Sequence, residues 1–128
     1  MRMRLQAAIF GGGVLGALAR ALLARAFPWN GHGWPWVTFA ANAGGTLLLA
    51  YFATRLQERL PPSTYRRPLL GTGFCGALTT FSTFQVELLQ LTRHDASATA
   101  LSYAAASLVT GFFGMYFATA LTRRTRIA

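Results

Sequence analysis

Residues 71–84 read Gly71-Thr72-Gly73-Phe74-Cys75-Gly76-Ala77-Leu78-Thr79-Thr80-Phe81-Ser82-Thr83-Phe84. Three glycines and five hydroxyl residues in fourteen positions disfavour one continuous helix. Yet the surrounding segment, 69–91, contains a single charged residue, Glu87. A segment of that length covers the ~30 Å of hydrocarbon in a bilayer. Non-helical backbone at membrane depth survives only when it is buried in protein or lines a polar cavity. The stretch therefore predicts a membrane-spanning helix broken near 76–80. Carbonyls turned inward at such a break suit a cation, and the N-terminus of the half-helix that follows suits an anion.

Working outward, three more segments are nearly uncharged and long enough to span: 5–27, 36–54 and 96–122. The 128 residues are 53% apolar and only 12% charged, against about a quarter in a soluble domain. These numbers predict an all-α membrane protein of four transmembrane helices, the third broken near its middle. Residues 1–128 read as a single four-helix domain, with no separate soluble domain. The first segment is too long for a signal peptide and is followed by three more.

The net charge of +9 does not point to nucleic acid. All twelve basic residues are arginines, and most flank the apolar segments rather than forming a stripe. Nine of them (2, 4, 55, 59, 66, 67, 123, 124 and 126) fall on the side shared by both termini and the second link. Arg25 and Arg93 fall on the other, with Arg20 further inside the first span. The positive-inside tendency then puts both termini in the cytoplasm, in a multi-pass protein of the cell membrane (a bacterial plasma or inner membrane). Pro61, Pro62 and Pro68 end helical structure in the second link, and Trp34 and Trp36 mark the interface where the second span begins.

Inside the spans, polar groups need partners. Gly12 and Gly16 have the spacing that lets membrane helices approach closely. Arg20 either snorkels to the interface or makes a water-filled entrance positive, which would suit an anion. On the second span, Thr38, Asn42, Gly45 and Thr46 share one side; the Asn42 amide is either interhelical glue or pore lining. Phe81 and Phe84 share a face beside the break, where ring edges could meet an anion and ring faces a cation. Glu87, one turn after Thr83, is the one acid within a span. It belongs in a vestibule or beside an arginine, with no ground for a proton-transfer role. Tyr103, Ser107 and Gly111 recur at intervals of four on the last span, with Thr110 adjacent. Cys75 reads as a small buried residue, and His32 and His94 as exposed histidines in short links without a metal-ligand partner. No nucleophile–base–acid set suggests an enzyme.

The segments GGGVLGALAR (11–20), TFAANAGG (38–45) and GFCGALTTFSTFQVE (73–87), with Tyr103 and Ser107, resemble the CrcB/Fluc family of fluoride channels. The resemblance covers nearly the whole chain. It implies passive, fluoride-selective export that gives fluoride resistance. It also implies an antiparallel, dual-topology homodimer with two narrow pores and a central structural sodium ion. Gly76 and Thr79 would supply backbone carbonyls to that sodium. Phe81, Phe84, Asn42, Thr38, Tyr103 and Ser107 would line the fluoride paths, and Arg20 would sit at the vestibule. The arginine bias sits awkwardly with dual topology and leaves room for an oppositely oriented paralogous partner. Two other classes share the size and span count: a proton-coupled drug or cation exporter, and a structural membrane subunit. The exporter normally needs an acid near the bilayer midplane, and the first span offers only Arg20.

Overall fold

A computed structural model describes residues 2–58 and 65–125. Arg59, Pro61, Pro62 and Arg126 lie outside the described residues. The described chain is helical, in the order α1 (Arg2–Ala26), α2 (Trp36–Glu58), α3 (Pro68–Cys75), α4 (Gly76–Leu78), α5 (Ser82–Arg93) and α6 (Ser97–Arg124). Three of these pieces are long and apolar enough to cross a membrane alone: α1, α2 over Trp36–Leu56, and α6. The remaining crossing is assembled from α3, α4 and α5. Four helical crossings with the third one split is the architecture the sequence predicted, and the protein is a multi-pass membrane protein.

Local chemistry explains how the third crossing is wound. Pro68 opens α3, where its missing N–H costs nothing and its fixed φ fits a helix start. The turns that follow are wider than an α-helix: the Gly76 N–H reaches back five residues to the Gly71 carbonyl. This loosened winding was not expected; only the break was. At Thr79 the backbone swings out to φ −77°, ψ 153°, which ends the first half. Helix resumes at Ser82.

The break lets the third crossing change partners. Its first half (α3, α4) packs against α1, and its second half (α5) packs against α6, while α2 joins α6 to α3. Close approach to α1 depends on small residues. A Cβ on Gly12 would run into the Leu69 carbonyl, one on Gly16 into the Phe74 carbonyl, and one on Gly73 into the Ile9 carbonyl. The small-residue spacing of the first span is therefore a backbone-to-backbone contact.

The buried core is correspondingly small. Leu91, Ala100 and Tyr103 form its centre at one end, surrounded by Trp29, Trp34, Phe39, Phe84, Leu88 and Ala96. Elsewhere large apolar side chains face outward, among them Leu15, Leu18, Leu101, Leu108, Phe112 and Phe117. In water such faces would drive association. In a bilayer they meet hydrocarbon, where apolar contact is no liability.

Candidate ion pathway at the helix break

Breaking a helix frees the carbonyls before the break and the N–H groups after it. Asn42, on α2, answers two of these needs at once. Its Oδ1 accepts the Thr80 N–H at 2.7 Å, and its Nδ2 donates to the Thr80 carbonyl at 3.0 Å. Because a backbone N–H can only donate, this pairing fixes which way the amide points. Thr46 in turn donates to the Asn42 carbonyl at 2.8 Å. Arg20 supplies a third partner: its Nε donates to the Ala77 carbonyl at 3.1 Å. After the break, the Thr80 hydroxyl accepts the Thr83 N–H at 3.2 Å and donates to the Thr83 hydroxyl at 3.1 Å, capping α5.

These bonds divert donors. In unbroken helix the Thr80 N–H would reach Gly76 and the Thr83 N–H would reach Thr79. Here they go to Asn42 and to the Thr80 hydroxyl. The carbonyls of Gly76 and Thr79 are thereby left out of the helical ladder. Hard cations such as sodium take oxygen ligands of this kind. Gly76 is also exposed, and a Cβ there would meet nothing within 4 Å.

Glu87 is 6% exposed and joins the second and fourth crossings. Thr38 donates to one carboxylate oxygen at 2.5 Å, and the Tyr103 phenol to the other at 2.8 Å. The sequence suggested a vestibule or an arginine partner; the partners found are two hydroxyls. Neither of those hydroxyl protons is left over for an ion in this arrangement.

An aromatic column lies alongside. Phe84 stands 5.1 Å from Tyr103 and 6.1 Å from Phe81, centroid to centroid. Trp34 meets the rings of Phe39 and Tyr103 edge-on, at 5.5 Å from each. Trp34 thus packs inward rather than merely marking the interface. Phe81 is the contrast: it is 72% exposed within one chain.

Two cavities border this machinery. One, of about 250 Å³, is lined by Arg20, Thr38, Thr80 and Thr83 together with small apolar residues of α1 and α2. The other, of about 40 Å³, is lined by Phe39, Asn42, Ala43, Thr46, Ser107, Thr110 and Gly111. Among the described residues, the Ser107 Oγ is buried there without any hydrogen-bond partner. Thr46 and Thr110 add hydroxyls to this wall, and Gly111 adds none. The structure therefore gathers Asn42, Ser107, Thr46 and Thr110 at one small space. It puts Arg20 and Thr38 at a wider one and leaves Phe81 at the outer face.

The family model for CrcB-like protein, Camphor Resistance (CrcB), matches residues 7–119. The chain belongs to the CrcB-like family. Among similar proteins is "Fluoride-specific ion channel FluC 1" of Mycolicibacterium paratuberculosis. It is 52% identical over 121 residues, covering 94% of this chain and 92% of that protein. "Fluoride-specific ion channel FluC 1" of Mycobacterium bovis is 54% identical over 122 residues, with the same coverage of each. A more distant relative, "Fluoride-specific ion channel FluC" of Chlorobaculum tepidum, is 38% identical over 112 residues, 88% of this chain and 89% of its own length. The CrcB-like match contains every segment of the candidate pathway, from Gly12 to Gly111.

Proposed function

We propose that this chain is a fluoride-selective passive channel that exports fluoride from the cytoplasm and so gives fluoride resistance. It carries an ion and catalyses no reaction. Membership in the CrcB-like family and the names of its relatives support the reading. Within the structure, one observation carries it: the 40 Å³ cavity where the unpartnered Ser107 hydroxyl meets Asn42, Thr46 and Thr110. That volume admits on the order of one to three water-sized particles. Fluoride is small and strongly hydrated, so a pore must replace its water with closely spaced donors without holding it too tightly. A hydroxyl with no internal partner is such a donor.

The remaining residues take roles around that point. Arg20 makes the wider cavity positive and draws anions toward it. Asn42 holds the break open and lines the small cavity. Phe84 and Phe81 offer ring edges beside the path, Thr38 and Tyr103 line it while bound to Glu87, and Ser107 receives the ion.

A second copy completes the assembly in this proposal. Phe81 and Gly76, both exposed in one chain, would meet an antiparallel partner across the break. The carbonyls of Gly76 and Thr79 fit a structural sodium ion there, which would neutralise carbonyl dipoles at the dimer centre. The nine-to-two arginine distribution favours one insertion direction. That distribution is what supports the second possibility, an oppositely biased paralogous partner.

The buried Glu87 keeps one competing reading in view, a proton-coupled exporter. Ion efflux from liposomes containing the purified chain alone separates the two, with fluoride and chloride at matched gradients and no proton gradient. Fluoride release without chloride release supports an autonomous channel. Phe81→Ile and Phe84→Ile should slow the flux while leaving folding and assembly in place; unchanged flux in both removes the rings from the pathway. No fluoride release from folded protein sinks the autonomous channel.

A further inference from the structure

The first and third links, far apart in sequence, meet at one end of the bundle, and each brings a histidine. The His32 and His94 rings lie with centroids 4.7 Å apart and planes inclined at 60°. We infer that His32 and His94 form a site for a divalent transition-metal cation of the zinc class, one per chain, bridging the two links.

The separation is the first argument. Zinc binds an imidazole nitrogen at about 2.0–2.1 Å and holds its ligands near tetrahedral angles. Since a ring centroid lies about 1 Å beyond its nitrogen, two imidazoles on one such ion have centroids about 5 Å apart. The observed 4.7 Å, a separation that ordinary ring packing also gives, is close to that spacing, and turning the rings would bring one nitrogen of each onto a shared ion.

The backbone is the second argument. In the first link the Asn30 Oδ1 accepts the His32 N–H at 3.1 Å, and Gly31 and Gly33 adopt φ +83° and +70° on either side. Only glycine takes that conformation without strain, so the link is folded back tightly around His32. In the third link the His94 N–H donates to the Gln90 carbonyl at 3.0 Å, closing α5. Asp95 then turns the chain at φ 56°, and the Ala96 N–H returns to the Leu91 carbonyl at 2.9 Å. Both histidines are thus presented by hydrogen-bonded turns. A Cβ on Gly31 would come within 4.0 Å of the His94 Nε2, which places that nitrogen against the first link.

Ligand chemistry sets the class. Imidazole suits zinc, copper and nickel, whereas magnesium, calcium and sodium prefer oxygen. Both rings are exposed, so water can complete the coordination and the ion has a way in. The site is separate from the carbonyls at the helix break and does not rest on the fluoride reading.

The test is isothermal titration of zinc chloride into the full-length protein in detergent near neutral pH, after any affinity tag has been removed. One zinc per chain is expected, with nickel competing and magnesium not. His32→Ala and His94→Ala should each weaken binding by more than about tenfold, and the double variant should bind no more weakly than either single one. Both positions are exposed on links, and an unchanged elution profile in size-exclusion chromatography confirms that the variants are folded. Wild-type protein that takes up no zinc at ~1 mM overturns the proposal. So does zinc binding that survives both single substitutions.

Discussion

Asn42→Ala should loosen the third crossing at one residue, Thr80. The wild-type side chain satisfies both backbone groups of Thr80, at 2.7 Å and 3.0 Å. Alanine leaves both without a partner in a part-buried site. An unmade bond of this kind costs roughly 1–3 kcal/mol. Local water entering the vacated space recovers part of the loss, so ~2 kcal/mol is a reasonable total for the pair. That figure corresponds to about a 30-fold rise in the opening equilibrium. Amide hydrogen exchange read at Thr80 should accelerate by about that factor, while amides in the middle of α1 and α6 change little. Asn42→Asp gives an internal control. It keeps the acceptor for the Thr80 N–H but sets a second oxygen against the Thr80 carbonyl, so it should not restore wild-type protection. Fluoride efflux should fall in both variants, because the break and the small cavity share this residue. Thr80 exchange unchanged in Asn42→Ala would refute the assignment of Asn42 as the clamp on the break.

Ser107→Ala should separate transport from stability. The hydroxyl makes no internal bond, so its loss should leave thermal stability unchanged or slightly raised while fluoride efflux slows; a drop in stability with normal efflux would reverse the assignment. Tyr103→Phe removes one of the two donors to Glu87 and should cost about 1–3 kcal/mol in chemical unfolding; no measurable cost would mean that water replaces the phenol. Gly73→Ala should disrupt folding because its Cβ would strike the α1 backbone, whereas Gly11→Ala, with nothing within 4 Å, should be tolerated. Equal yields of folded protein from the two glycine variants would contradict the packing described.

Some of this was legible in the residues alone, and the helix break is the clearest case. Its cause is local: glycine and threonine are crowded into one stretch where neither supports continuous helix. The four crossings are legible for the same kind of reason, since transfer of each apolar residue from water is nearly independent of its neighbours. The fate of the polar side chains was not legible. Asn42 admitted two readings, and it clamps a backbone group 38 positions away. Arg20 was read as snorkelling or lining an entrance, and it also caps the Ala77 carbonyl. Glu87 was expected in a vestibule or beside an arginine and is held by Thr38 and Tyr103. His32 and His94 read as isolated and lie ring to ring.

The difference is physical. Hydropathy, helix propensity and charge bias are sums over single residues, so the chain's class, its crossings and the position of its break are determined by the sequence as written. A hydrogen bond or a cavity is a property of two or more segments brought within about 3 Å. Which carbonyls lose their donors, which hydroxyl is left without a partner and which histidines become neighbours were therefore decided only when the helices packed.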